Sequence, residues 1–176
     1  HDIAASASVA GFNQAMPMIL EWGRGMMGPL IYAEYPFIWM NQKLTFGKIF
    51  DLTAVDAINS TDTPVLILHG DKDTTVGYDT VSIISQKEKI TNPNVRYVVR
   101  SGEFQNGHNS LYLSLGYHDY MEALQTEYDA LYEQYNHDIP EDVDRAFYAK
   151  ADKFLASEVD EGFMETVVGF YREAVQ

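Results

Sequence analysis

Short apolar runs separated by polar breaks predict three strands in the first hundred residues of this chain. Residues 3–10 are small and apolar, residues 64–69 form a continuous apolar run that ends in a histidine, and residues 95–100 contain three valines. Glycine, proline or asparagine bounds each run, as is usual for strands buried in a parallel sheet. We therefore expect about three parallel strands.

The segment between the second and third runs predicts a helix over residues 78–90. Four of its positions recur at helical spacing, namely Tyr78, Val81, Ile84 and Ser85. Strand, helix and strand in this order form a βαβ unit, whose crossover is right-handed in nearly all proteins. The predicted fold class is therefore α/β, with flanking helices.

Two further stretches predict helices. Residues 13–50 mix methionine, tryptophan, glycine and proline without a long regular period, which indicates broken helices. After His108 the pattern is helical to the end of the chain, with one clear helix face formed by Tyr117, Met121, Leu124, Tyr128, Leu131 and Tyr135. Residues 137–140 break this helix, Asp142 is the predicted cap of a second, and 163–174 predict a third.

The length and the start of the chain set its organisation. At 176 residues and 46% hydrophobic composition, it fits one domain, residues 1–176, able to bury about 70% of its unfolded surface. The chain opens at His1 without an initiator methionine and runs at once into a strand-like segment. We expect it to be part of a longer protein.

Composition narrows the classes of function. The chain has no cysteine, which excludes disulfides, thiolate catalysis and cysteine-ligated metals and is compatible with the cytoplasm. A net charge of −14 argues against nucleic acid and anionic membrane surfaces as partners. No apolar stretch reaches the roughly 18 residues of a membrane span, and no signal peptide is visible. We expect a cytoplasmic protein without a membrane span.

Asp73 is the first candidate for chemistry, because it follows the end of the run 64–69. Open α/β sheets carry their sites at the carboxyl ends of their strands, where a carboxylate can orient an imidazole. The alternative is turn chemistry, since residues 71–75 also form a good loop in which aspartate bonds its own backbone. Asp71 competes for the acid role, but it directly follows Gly70 in a tight turn, where a local bond is expected.

His108 is the second candidate. It lies in the loop after the run 95–100, so its imidazole could reach Asp73 across the same edge of the sheet. His69 ends a buried run, where a packed, hydrogen-bonded role is expected, and His118 and His137 lie on or near a predicted helix. No histidine pair has the spacing of a zinc site, so we predict neither metal nor cofactor.

A serine nucleophile is missing from this pattern. Strand–Asp followed by strand–His is the second half of a Ser–Asp–His hydrolase in its usual chain order, and the serine lies in Gly-x-Ser-x-Gly. No such motif occurs in this chain. Ser101, Ser110 and Ser114 lie too close in sequence to His108 to form the nucleophile turn, and two other serines lie within the run 3–10.

The chain resembles the C-terminal part of bacterial α/β-hydrolase-fold proteins of the serine aminopeptidase and lysophospholipase-like type. Residues 64–73 resemble the seventh strand and acid loop, in which the catalytic acid stands three residues after the glycine and is therefore Asp73. Residues 107–109 resemble the catalytic histidine loop, and residues 6–13 the sixth strand. The resemblance implies that 13–50 is a helical lid and that the last helices are those of a subset of these enzymes.

The resemblance implies hydrolysis of an ester, amide or thioester in a small acyl or peptide-like substrate. Without a nucleophile, we expect the isolated chain to be inactive. Residues 13–50 could line an acyl pocket, with Met26, Met27 and Trp39 as candidates, or could simply pack the domain. The alternative function is a non-catalytic binding or interaction protein derived from this fold. The bare edge of strand 3–10 predicts self-association.

Overall fold

The three predicted strands form one parallel sheet in the computed structural model, which describes residues 3–176; His1 and Asp2 of the predicted domain lie outside the described residues. Strand β1 is Ser6–Val9, β2 is Val65–Gly70 and β3 is Val95–Arg100. Their order is β1-β2-β3, with both pairs parallel. The α/β class and the parallel sheet are thus confirmed.

Strand β1 is shorter and more exposed than the prediction for residues 3–10. Pairing starts at Ser6, which lies opposite Val65 and donates its N–H to Pro64 O over 3.0 Å. It ends at Ala10, whose φ of 51° is left-handed and leaves the extended conformation. No residue of β1 is fully buried, since in the described part of the chain it pairs with β2 alone.

Strand β2 lies in the centre of the sheet, and all six of its residues are buried. Because side chains alternate across a strand, Val65, Ile67 and His69 share one face. The first two pack there with Ile58, Ile83 and Ile84 in a core cluster. The buried run in the sequence therefore positions the residues that follow Gly70 at the carboxyl edge of the sheet.

The predicted helix over 78–90 is wrong for its first half. Turns occupy 78–81, and only Ile84–Lys89 is helical, as a 3-10 helix. Hydroxyl groups compete for the backbone here: Ser82 Oγ donates to Tyr78 O, and Ser85 Oγ donates to Ser82 O. Ser82 also forms an isolated antiparallel bridge with Phe12, which an α-helix would not allow.

The segment 13–50 forms two main helices, as its broken pattern indicated. Helix α1 is Ala15–Met27 and helix α2 is Ile31–Phe46, joined by a 3-10 turn at Gly28–Leu30. They approach closely at Gly23, where an added Cβ would lie 2.6 Å from Ile31 Cδ1. A second 3-10 turn at Gly47–Asp51 leads to helix α3, Ala54–Asn59.

The chain forms two compact units, one made of residues up to Leu111 with 167–176, and the other of 112–166. The first and third predicted C-terminal helices are confirmed as α4 Leu115–Gln134 and α6 Glu161–Ala174. The second is confirmed only in its first part, because α5 is Glu141–Ala149 and only a 3-10 turn at Leu155–Ser157 follows before α6. Asp142 does not cap α5, because the helix begins one residue earlier, after Pro140. Within the described residues, none of the helices combines the length and apolar character needed to cross a bilayer.

Candidate active site

The acid loop follows β2 and is held by backbone hydrogen bonds. Asp71 N donates to Arg100 O on β3, and Asp73 N donates back to Gly70 O over 3.2 Å. This turn folds Asp73 under the end of the sheet, where its side chain is fully buried. Burial makes every hydrogen bond of this carboxylate matter, because an unpaired polar atom in the interior costs about 1–3 kcal/mol.

Asp73 uses its two oxygens differently. Oδ1 accepts hydrogen bonds from the backbone N–H groups of Thr75 and Val76, each over 2.9 Å. These bonds are the turn chemistry that the sequence offered as an alternative. Oδ2 makes no such backbone bond and is left for side chains. Asp73 can therefore bond the backbone of its own turn and also orient an imidazole.

His108 meets Asp73 at Oδ2. Its Nδ1 lies 2.8 Å from Oδ2, although 35 residues separate the two in sequence. The imidazole is 30% exposed while the carboxylate is fully buried. The predicted meeting of these two side chains at one edge of the sheet is confirmed. An imidazole whose Nδ1–H is held by a carboxylate presents Nε2 as a proton acceptor, which is the arrangement of a general base.

Two glycines shape the histidine loop. At Gly70, an added Cβ would lie only 2.2 Å from Asn106 O, so the backbones of the two loops touch there. The same Asn106 O accepts a hydrogen bond from Lys72 N over 2.9 Å. Gly107 N donates to Ser110 Oγ over 3.1 Å, which ties the turn around His108. The close approach at Gly70 is what sets the distance between Asp73 and His108.

His69 is the functional side chain that sequence reasoning underestimated. It is buried and hydrogen-bonded, as expected, but its Nε2 lies 3.1 Å from Asp73 Oδ2 and 2.9 Å from Val76 O. It therefore contacts the acid itself. The signal available in the sequence was the spacing of four residues between His69 and Asp73 across a tight turn.

The other polar candidates lie elsewhere. Asp71 Oδ1 is buried and has no hydrogen-bond partner among the described residues, so the local bond expected for it is absent at that atom. His118 lies 3.6 Å from Asp119, and His137 Nε2 lies 3.0 Å from Glu133 Oε1, both in the region of α4. In residues 3–176, no three ligand-type side chains come close enough to hold a metal ion.

The three residues suggested for an acyl pocket are exposed on the helix pair α1–α2. Met26 is 64% exposed, Met27 45% and Trp39 44%. One contact ties this helix pair to the acid loop, since Gly77 N donates to Glu21 Oε1 of α1 over 3.0 Å. A substrate pocket at these residues remains a prediction.

The serine hydroxyls of this chain have other positions. Ser6 and Ser8 lie in β1, Ser110 Oγ accepts from the histidine loop, and Ser114 Oγ caps α4 by accepting from Tyr117 N. The described residues thus contain a buried carboxylate in contact with a partly exposed histidine. Comparison with protein-family models, with curated proteins and with solved structures finds no match for this chain.

Proposed function

We propose that this chain is the acid- and histidine-bearing part of an α/β-hydrolase-fold serine hydrolase, with the serine supplied by residues outside the chain. Asp73 orients His108, and His108 acts as general base toward that serine. The reaction is hydrolysis of an ester, amide or thioester in a small acyl or peptide-like substrate. The chain by itself is inactive, because it lacks the nucleophile.

One observation carries the proposal, namely the 2.8 Å contact between His108 Nδ1 and the buried Asp73 Oδ2. The imidazole of His108 is partly exposed, whereas the carboxylate beside it is fully buried. In a triad, the acid must be shielded and the histidine must reach the substrate side. The two groups also follow parallel strands at the edge where α/β enzymes work.

The test begins with the coding sequence upstream of the His1 codon. We expect an open frame that encodes Gly-x-Ser-x-Gly. The extended protein should react at that serine with a fluorophosphonate probe and hydrolyse short-chain esters. His108→Ala should abolish labelling, and Asp73→Asn should lower kcat about 10⁴-fold, because the amide favours the wrong imidazole tautomer.

The matched control is His137→Ala, since that histidine is exposed and its contact with Glu133 lies in the region of α4. It should leave the rate unchanged. An extended frame without the serine motif would sink the proposal. So would an extended enzyme that keeps its full rate after His108→Ala.

A second candidate function is that of a non-catalytic binding or interaction protein, favoured by the apolar surface of the first unit. Large side chains are exposed along α1, α2 and the turn between them, including Trp22, Met26, Leu30, Phe37, Leu44 and Phe46. Monomeric proteins seldom expose so many large apolar side chains in one segment, and such surfaces mark interaction sites. This candidate gains if no serine motif lies upstream.

Self-association through β1 belongs to both candidates. Ser6 N and Ala10 N donate toward β2, so in a parallel ladder the N–H groups of Ala7 and Val9 point to the opposite edge. Ala7→Pro removes a donor from that edge and spares the ladder, whereas Ser8→Pro breaks the ladder. Sedimentation velocity should show a dimer or larger species in the native chain and a monomer in Ala7→Pro. If the native chain stayed monomeric when its concentration was raised about 100-fold, self-association would be refuted.

The cytoplasm is the compartment we propose, because a chain without cysteine needs no oxidising environment to fold. Fractionation of the source cells with an antibody against this chain tests the assignment. Recovery in a secreted fraction would contradict it.

A further inference from the structure

Among the described residues, one ring nitrogen of His69 has a hydrogen-bond partner and the other has none. Its side chain is fully buried at the end of β2. Nε2 faces two acceptors, Val76 O at 2.9 Å and Asp73 Oδ2 at 3.1 Å. Because a carbonyl oxygen can only accept, Nε2 must carry the hydrogen. Nδ1 is buried and has no partner in the described part of the chain, so the neutral tautomer with hydrogen on Nε2 satisfies the site.

Three hydrogen bonds from described residues hold the buried carboxylate of Asp73. Two backbone N–H groups, of Thr75 and Val76, donate to Oδ1. His108 Nδ1 is the hydrogen-bond partner of Oδ2. His69 Nε2 also lies 3.1 Å from Oδ2, but its single hydrogen donates to Val76 O, so His69 reaches the carboxylate through Val76.

We propose that His69 is a positioning residue for the catalytic acid. Its Nε2–H holds the carbonyl oxygen of Val76, and the N–H of Val76 in turn holds Asp73 Oδ1, which leaves Oδ2 facing His108 Nδ1. Without this donor, Val76 O would lose its buried partner, and the Val76 peptide could shift away from Oδ1. The catalytic role of Asp73 rests on the proposed function, whereas the hydrogen bond of His69 does not.

Val76 makes the arrangement self-consistent. Its N–H donates to Asp73 Oδ1, and its C=O accepts from His69 Nε2, so one buried peptide residue fixes both side chains. Tyr78 adds a ring contact with His69, with centroids 6.0 Å apart. The imidazole of His69 is thus held by β2, by the acid loop and by the segment that follows it, which is what positioning a neighbour requires.

Two substitutions separate the donor from the packing. His69→Gln keeps an amide N–H at the same number of bonds from Cα as imidazole Nε2. His69→Met keeps an apolar side chain of similar length and removes the donor. The readout is NMR of the ¹⁵N-labelled chain by itself, in which long-range proton–nitrogen spectra report each imidazole tautomer. The Nδ1–H proton of His108, assigned by its loss in His108→Gln, reports the contact with Asp73.

In the wild-type chain we expect His69 to be the neutral Nε2–H tautomer. In His69→Met, exchange of the His108 Nδ1–H proton with solvent should become about tenfold faster or the resonance should disappear, as expected for loss of the hydrogen bond to Val76 O that supports the carboxylate. In His69→Gln the exchange rate should stay close to the wild-type value. A role of His69 in packing alone would not separate these two variants.

Several results would overturn the inference. The first is that His69 of the wild-type chain carries its hydrogen on Nδ1 or on both nitrogens. This result comes from the wild-type chain alone and does not depend on whether a variant folds. Another is an unchanged His108 Nδ1–H proton in folded His69→Met. A third is equal loss in His69→Gln and His69→Met. None of these measurements requires a serine, so a failure of the hydrolase proposal would remain distinguishable from a failure of this one.

Discussion

Gly70→Ala should disconnect the histidine loop from the acid loop. An alanine Cβ at this position would lie 2.2 Å from Asn106 O and 2.5 Å from Asn106 C. Both are backbone atoms, which cannot rotate away as a side chain can. To reach an ordinary van der Waals contact of about 3.4 Å, the loop must retreat by at least roughly 1 Å.

The expected cost follows from what such a shift breaks. Overpacking of a tight backbone contact costs about 1–3 kcal/mol. Loss of the hydrogen bond from Lys72 N to Asn106 O, now 2.9 Å, adds about 0.5–1.5 kcal/mol. A retreat of roughly 1 Å also stretches the 2.8 Å contact between His108 and Asp73 beyond hydrogen-bonding range. We expect the free energy of unfolding to fall by about 2–4 kcal/mol.

Urea unfolding followed by circular dichroism measures the stability change, and the His108 Nδ1–H resonance reports the site. Gly25→Ala is the matched control, because nothing among the described residues lies within 4 Å of its added Cβ, and it lies inside α1. That change should stabilise the chain by about 0.8–1 kcal/mol through helix propensity. If Gly70→Ala unfolds at the wild-type urea concentration and keeps the His108 resonance, the close approach does not set the geometry of the site.

Two predictions concern the second unit. Ser114→Ala removes the helix cap that accepts a hydrogen bond from Tyr117 N. It should lower the free energy of unfolding, measured by urea titration, by about 1 kcal/mol. The control Ser157→Ala, at an exposed site, should change this free energy by less than about 0.5 kcal/mol. The hydrogen bond to Asp144, together with burial and the charge of Asp144, raises the pKa of Tyr128 to about 12. Because the folded-state pKa is above the usual value of 10, the stabilising contribution of this bond is complete below pH 10 and is lost as the pH rises through 12. A Tyr128 ring-carbon NMR titration should show this midpoint in the wild type and a lower one in Asp144→Asn; an unchanged midpoint would contradict the assignment.

The local pattern of the sequence was sufficient to predict three parallel strands. Residues 65–68 are all apolar because β2 has a neighbouring strand on each side and is covered on both faces. The C-terminal helices followed from a period close to 3.6, which survives in α4 over Leu115–Gln134. Between the second and third strands, a similar periodicity predicted a helix whose first half does not form, because the hydroxyl groups of Ser82 and Ser85 compete for the backbone there.

The candidate site was predictable in part. Asp73 and His108 each follow a strand of a parallel sheet, and the carboxyl ends of such strands share one edge, so their meeting followed from chain order alone. The chain order could not give the 3.1 Å approach of His69 Nε2 to Asp73 Oδ2, because that depends on side-chain directions within a turn of four residues. Nor could it show that Met26 and Trp39 are exposed, since composition alone does not tell a buried apolar helix from an uncovered one.

The amino-acid order of this chain thus determined which residues become strands and which charged groups arrive at their ends. Tertiary structure decided the distances, because Gly70 and Asn106 touch only after two loops 36 positions apart have packed against each other. Periodicity is a property of neighbouring residues and can be read along the chain. The hydrogen bond between Asp73 and His108 requires two atoms within about 3 Å of each other, and only the packed sheet brings them there.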